Sequence, residues 1–536
     1  MEEISPNYTR ALGVVGGTVY QSFKPVKKAS GLVALDGRII FVGDGEKAKR
    51  LTTSLNGSLL ELDGLTVLPG FVDCHMHIDL LAVSLHSIDL RGVRSIAELK
   101  QRLKTHYELN REASWILGRG WDQELFEEKR WPSSRDLDEI VSDKPVILER
   151  ICGHSAVVNT KAIQSIVGVE PAANPYFLKD SQGNLTGVVV EDAVKAFREA
   201  VKFSEKELLE MFHKALLYSA SLGVTTLGFV SCGAQSFKIL QALRKQNKLP
   251  VRVRAYLNME HYRSLVDTGL SKSFGDEFLK LMGVKVFADG SLGARTAWLS
   301  QPYADHPETA GIPTIEKEKL KEIVRECHKA GLQMAIHAIG DKALDMVLDA
   351  YDALGDLSST DHRHRIEHAS VMRPEQLERM VKLGVTVTVQ PHFVVTDWWV
   401  VNRVGERRAG WVYRFRSMDQ YGVRIGFSSD TPVEPLNPWD TVYAAVSRGG
   451  ETNELYKHSK DEAIPINEAL HHYTYGSAHV LFEESNIGTL EPGKYADFVI
   501  VDKDPLETST GQLKNIKNLM TVVSGNIVYR QSDFRG

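Results

Sequence analysis

Apolar positions along this chain follow two rhythms. Near the start, VVGGTVY, SGLVALDGRIIFVGD and SLLELDGLTVLPG mix β-branched residues with Gly and Asp-Gly turn signals. That pattern predicts short strands joined by turns. The end reads the same way, in IGTLEPGKYADFVIVDKDP and then LMTVVSGNIVYR. Two β-rich ends predict one small β domain built from both.

The middle alternates short apolar runs with amphipathic ones. Eight runs are strand candidates: TVLPGFVDCHMH, VTTLGFVS, VRVRAYLN, GVKVFADG, LQMAIHAIG, HRIEHAS, VTVTVQPH and VRIGFSSD. Between several of them lie helical patterns such as EKEKLKEIVRECHKAG and RPEQLERMVKLG, with apolar residues at three-to-four spacing. Strands alternating with such helices predict an α/β fold with a parallel sheet, here a (β/α)8 TIM barrel. One interval, about 85–204, is too long for a structureless loop and has strand runs of its own (SWILGRG, PVILERI, TGVVV). It reads as a large insertion after the first strand, placed over the barrel mouth. The expected layout is 1–66 and 484–536 as halves of a β domain, with 67–483 as the barrel and its insertion.

Composition narrows the function class. Hydrophobic residues at 43% and charged ones at 25% are ordinary for a globular protein, and a net charge of -5 gives no bulk attraction for nucleic acid or anionic membrane. The start, MEEISPNYTR, lacks the basic segment and apolar run of a secretory signal, and no stretch is apolar for long enough to span a bilayer. Cys74, Cys152, Cys232 and Cys327 are scattered without CxxC spacing, as expected for reduced thiols in a cytoplasm. Strict alternation would turn Cys74 to the face opposite Asp73 and His75, as a packed core thiol.

The chemistry lies at the strand ends, which form the active face of such a barrel. The first strand ends in His75-Met76-His77, two imidazoles on one face. The fifth ends in His337, the sixth in His368 and the eighth in Asp430, and the fourth carries Lys285 and then Asp289. Alone, His337 or His368 reads as a hydrogen-bonded structural residue. Together, histidines and a carboxylate converging on one point are what a catalytic divalent metal requires. Lys285 has two readings that the residues leave open: an amine paired with Asp289 or another acid, or a lysine converted by CO2 to a carbamate ligand.

In PGFVDCHMH (Pro69–His77), GVKVFADGSLGART (Gly283–Thr296), HAIGDKA (His337–Ala343), RIEHAS (Arg365–Ser370), QPHF (Gln390–Phe393), SSDTPVEPLNP (Ser428–Pro438) and GTLEPGKYADFVIVDKDP (Gly488–Pro505), the chain resembles the amidohydrolase superfamily. The branch is that of N-substituted formamide deformylase and related metal-dependent hydrolases. WILGRGWDQ and GHSAVVNTKAI in the insertion resemble the same branch. The resemblance implies that His75, His77 and Asp430 hold the more buried metal, that His337 and His368 hold a second, and that carboxylated Lys285 bridges the two. It implies a flanking β-sandwich from the two ends, one or two divalent ions with zinc foremost, and a homodimer as a family-level expectation.

The expected reaction is hydrolysis of a non-peptide C–N bond in a small molecule. A metal-activated hydroxide attacks the carbonyl, and Asp430 acts as general base and acid. Candidate substrate contacts are His154, Trp121, Arg295, His392 and Trp398, with Trp399 and Tyr413-Arg414 beside them. Two alternatives stay open: the same metal chemistry on a lactone, carbamate, cyclic amide or aminated ring, and a non-catalytic scaffold or regulatory relative.

Overall fold

The apolar runs of the middle form eight parallel strands in the computed structural model, which describes residues 10–166, 170–355, 357 and 360–534. They are β1 (Phe71–Met76), β2 (Val224–Cys232), β3 (Arg252–Asn258), β4 (Leu279–Phe287), β5 (Gln333–Ala338), β6 (Arg365–His368), β7 (Thr386–Val389) and β8 (Arg424–Phe427). Each pairs with the next in chain order. The circle is carried from β8 back to β1 at the strand C-terminal ends. There Asp430 N–H donates to His75 O at 2.9 Å and His77 N–H to Thr431 O at 2.9 Å. The fold is a nearly closed (β/α)8 barrel, as the pattern predicts.

The intervening helices bury the faces their periodicity marks. Lys317–Lys329 buries Leu320, Ile323, Val324 and Cys327, and Pro374–Lys382 opens on a proline at its first turn and buries Leu377 and Met380. Below the strands, Arg252 on β3 is fully buried and grips Asp497 with Nε at 2.7 Å and Nη2 at 3.0 Å. Truncating one partner of such a buried pair costs about 3–5 kcal/mol, so this contact ties the C-terminal segment firmly to the barrel floor.

The run TVLPGFVDCHMH is two strands rather than one. Thr66–Pro69 pairs antiparallel with Phe498–Val501, and β1 begins after Gly70. Proline has no N–H for a ladder, and at Gly70 an added Cβ would come within 2.4 Å of Thr225. The break therefore falls at Pro69-Gly70 for steric reasons. Thr66–Pro69 joins an eight-stranded sheet from both chain ends, with Ala11–Phe23, Val26–Leu35 and Arg38–Gly43 on one side, Ser58–Glu61 also paired to Ala11–Phe23, and Phe498–Val501, Asn518–Val523 and Asn526–Arg530 on the other. The turn-rich reading of the start misses one helix, Gly45–Ser54, whose N-terminus is capped by the Asp44 side chain.

Leu81–Lys214 is a compact unit of its own, distinct from the unit that holds the barrel and the terminal sheet. Its six strands run in the order Phe177–Lys179, Leu185–Val190, Ser155–Val158, Val146–Arg150, Ile116–Trp121, Ile88–Asp89. Among the described residues, no helix is long and apolar enough to cross a membrane.

Candidate metal centre

A bulge at the end of β1 sets the geometry. Opposite β2, Asp73 faces Leu227 but Met76 faces Phe229, so β1 carries one residue more than its neighbour there. Contacts between strands that are not neighbours in the sheet can pass only through the barrel interior. Cys74 Sγ lies 3.8 Å from Thr388 Oγ1 on β7, and the His75 ring hydrogen-bonds Glu367 on β6. These consecutive side chains therefore both face inward. The expectation that Cys74 opposes His75 is corrected by the bulge, which breaks the alternation. Asp73 turns away instead, accepting from Ser429 N–H at 3.0 Å and the Tyr473 hydroxyl at 3.1 Å. Cys74 is a buried thiol, pushed up to about 12 by burial.

The bulge brings His75 and His77 onto Asp430. Both Nε2 atoms lie 3.2 Å from Asp430 Oδ1, and the three ligand atoms fall within 4.8 Å of one another. Asp430 has φ of 63° and His368 φ of 75°. Such left-handed backbone costs about 1–3 kcal/mol in residues other than glycine and concentrates at functional sites. Burial alone would raise the Asp430 carboxyl. The charge of His75 and hydrogen bonds from His75 and His77 outweigh it, and the group stays well below the ordinary range.

The donor set fits a divalent cation. Glu367, a carboxylate, can only accept, so Nδ1 of His75 carries a hydrogen, and in the neutral ring that a metal ligand needs Nε2 offers its lone pair. That lone pair faces a carboxylate oxygen 3.2 Å away. Such a contact needs a proton on Nε2 or a metal ion between the two atoms, and two imidazoles with a carboxylate suit zinc or a similar ion.

Lys285 lies in the same interior. It is 2% exposed, its Nζ has no hydrogen-bond partner among the described residues, and the ring of Phe287 is 5.0 Å away. Burial pushes the amine down to about 8 against the pull of Glu367 and Asp430. The pairing with Asp289 is not made. That carboxylate accepts the backbone N–H groups of Trp298, Ile339 and Gly340. His337 and His368 complete the circle, their ring centroids 4.6 Å apart and that of His368 4.9 Å from His75. Neither belongs to the three-ligand group. His337 Nε2 is turned to Gly290 O at 3.0 Å, and His368 Nδ1 is held by Gln390 Oε1 at 2.7 Å, which leaves its Nε2 for another partner.

The expected substrate contacts scatter. Trp121 is fully buried in the core of the 81–214 unit, and its indole N–H donates to Leu148 O at 2.7 Å. With no exposed surface it has nothing to offer a ligand, which corrects its assignment to the pocket. His154, in the same unit, is exposed and 3.2 Å from Glu191. In the barrel unit, Arg295 pairs with Asp305 at 2.9 Å, and His392 hydrogen-bonds Glu434, four residues beyond Asp430. Trp398, 67% exposed, lines a cavity of about 650 Å³ with Trp399, Asp305 and Arg403. Tyr413 donates to Asp397.

Glu367 is the site residue that the sequence reading passed over. Its signal lay in RIEH, where two charged residues two apart occupy a strand otherwise read as buried.

Comparison with known proteins places this geometry. Residues 59–529 match the amidohydrolase family. A solved structure described as an uncharacterised metal-dependent hydrolase from Pyrococcus horikoshii OT3 is 41% identical, with a TM-score of 0.82, covering 94% of this chain and 99% of that one. The putative amidohydrolase YtcJ of Bacillus subtilis is 29% identical over 96% of this chain and 99% of its own length. N-substituted formamide deformylase of Arthrobacter pascens is 27% identical, over 94% of this chain and 95% of its own.

Proposed function

The chain belongs to the amidohydrolase family, and from that premise we propose that it hydrolyses a non-peptide C–N bond of a small molecule with Asp430 as general base and then acid. The observation that carries this reading is the buried convergence of His75, His77 and Asp430 on one point. These three would hold the first ion, and zinc is the ion that suits the donor set. When bound, a divalent ion supplies Lewis acidity and lowers the pKa of a coordinated water from about 15.7 to about 7.

The chain's own residues supply the rest. Asp430, anionic in the site, accepts the proton of the attacking water and returns it to the leaving nitrogen. Burial excludes bulk water, which strengthens each of these charge interactions. His337 and His368 would hold a second ion, His337 through Nδ1 while Nε2–H stays on Gly290 O, and His368 through Nε2. Among candidate substrate contacts, His392 and Trp398 follow the C-terminal end of β7 and Arg295 that of β4, where the ligands sit, and Arg295 is already paired with Asp305. One sheet shared by Ala11–Phe23, Val26–Leu35 and Arg38–Gly43 with Phe498–Val501, Asn518–Val523 and Asn526–Arg530 supports 1–66 and 484–536 as two halves of one β domain, with Thr66–Pro69 as the strand between them.

A C–N substrate is supported by the full-length likeness to a formamide deformylase. The test is a panel of N-formyl and N-acyl amines, cyclic amides and lactones, assayed on chelated protein before and after zinc, manganese or cobalt. Metal-dependent turnover of the amides ahead of the lactones is expected. Turnover of the lactones alone would refute the choice of bond.

Lys285 as a carbamate follows from its unpartnered, buried amine. ¹³C-bicarbonate added with metal to chelated protein should give a carbamate resonance that Lys285→Met lacks. Lys285→Met should lose about 10²-fold or more in kcat, as an essential group of a site does. In Lys285→Ala, where the site has room, millimolar acetate or propionate should restore part of it. A variant with wild-type turnover would leave Lys285 an ordinary buried amine.

A further inference from the structure

Glu367 is wholly buried, and so is its partner Arg365 on the same strand. Arg365 Nε donates to Glu367 Oε1 at 2.8 Å and Nη2 to Oε2 at 2.8 Å. The same Nη2 donates to Cys74 O at 2.8 Å, across the barrel on the strand that carries His75. The guanidinium lies 4.5 Å from the ring of Tyr256 on β3. The pair therefore bridges three strands that are not neighbours in the sheet. As a stabilising device it is a poor choice, since a buried ion pair often does no better than apolar side chains of the same volume. Its arrangement makes sense through the carboxylate's third partner, Nδ1 of His75.

We propose that Glu367, clamped by Arg365, is a positioning residue that fixes the tautomer and angle of His75 so that Nε2 points its lone pair at the metal. The carboxylate accepts the Nδ1 hydrogen, and the guanidinium holds that carboxylate to the backbone of β1. Rotation of the ring would break the Nδ1 contact and turn Nε2 away from Asp430. Ligand histidines elsewhere depend on an outer acceptor in the same way, and losing it costs about 10–100-fold in metal affinity or activity. This inference rests on the metal-site reading above.

The test uses full-length protein and cobalt or zinc. Glu367→Gln keeps the volume, but its amide N–H faces either Arg365 or Nδ1 of His75, which favours the tautomer with hydrogen on Nε2. Competition with a chelator should show about 10–100-fold weaker binding and an altered visible spectrum of the cobalt form; the metal-free protein should also melt lower, because buried Arg365 loses its counter-charge, so affinity and spectrum rather than stability report the positioning role. Glu367→Asp, which keeps the charge, should recover part of the affinity. If Glu367→Gln does not fold, Glu367→Asp carries the test and should still bind more weakly than wild type. Wild-type affinity and spectrum in whichever variant folds would overturn the positioning role alone. Wild-type protein that binds no metal would overturn the site reading, and this inference with it.

Discussion

Asp430→Asn is expected to lower kcat by about 10²- to 10⁴-fold while leaving most of the metal in place. The amide oxygen of Asn can still face His75 and His77, which meet the carboxylate through Oδ1 at 3.2 Å. What it cannot do is take a proton. A split of this kind, with turnover lost and metal kept, separates a base from a mere ligand. Turnover near wild type in the variant, or loss of metal in step with activity, would remove Asp430 from the proton path.

The double variant His75→Ala, His77→Ala is expected to lose the metal itself. Removing one outer partner of a ligand typically costs about 10–100-fold in affinity, and removing two direct ligands should exceed that. Dialysis against a chelator concentration that leaves the wild type loaded should empty the variant, with hydrolysis falling to background. Circular dichroism should show the fold intact, since both side chains end on the site and not in the packed layers between strands and helices. Retention of wild-type metal content would move the site elsewhere.

How much of this was legible in the sequence depends on what leaves a periodic trace. The eight barrel strands are apolar runs of four to nine residues between amphipathic helices, and their order and ends could be read from that rhythm. His75, His77, His368 and Asp430 could be found because polar residues at the ends of such runs stand out. The bulge at Asp73–Met76 could not, because one extra residue in a ladder changes no composition and shifts only which side chains face inward. Pro69-Gly70 did carry a signal, yet the apolar residues on either side let two strands read as one. Trp121 shows the limit of composition. A tryptophan packed in a core and one lining a pocket have the same neighbours in sequence, and only the fold distinguishes them. Glu367 was passed over for the opposite reason. Its charge was visible, but His75, and the Cys74 carbonyl that its clamp Arg365 reaches, come to the pair only when the barrel closes. The second metal is less fully drawn in the fold than in the resemblance. His337 has Nε2 on Gly290 O and only Nδ1 to offer, and neither it nor His368 joins the three-ligand group.

The most direct measurement of the central claim is anomalous diffraction at the zinc edge from crystals of the wild-type protein grown with zinc. The account predicts a peak about 2.0–2.2 Å from Nε2 of His75, Nε2 of His77 and a carboxylate oxygen of Asp430. Peaks elsewhere only, or an interior that stays empty at saturating zinc while the crystals remain ordered, would contradict it.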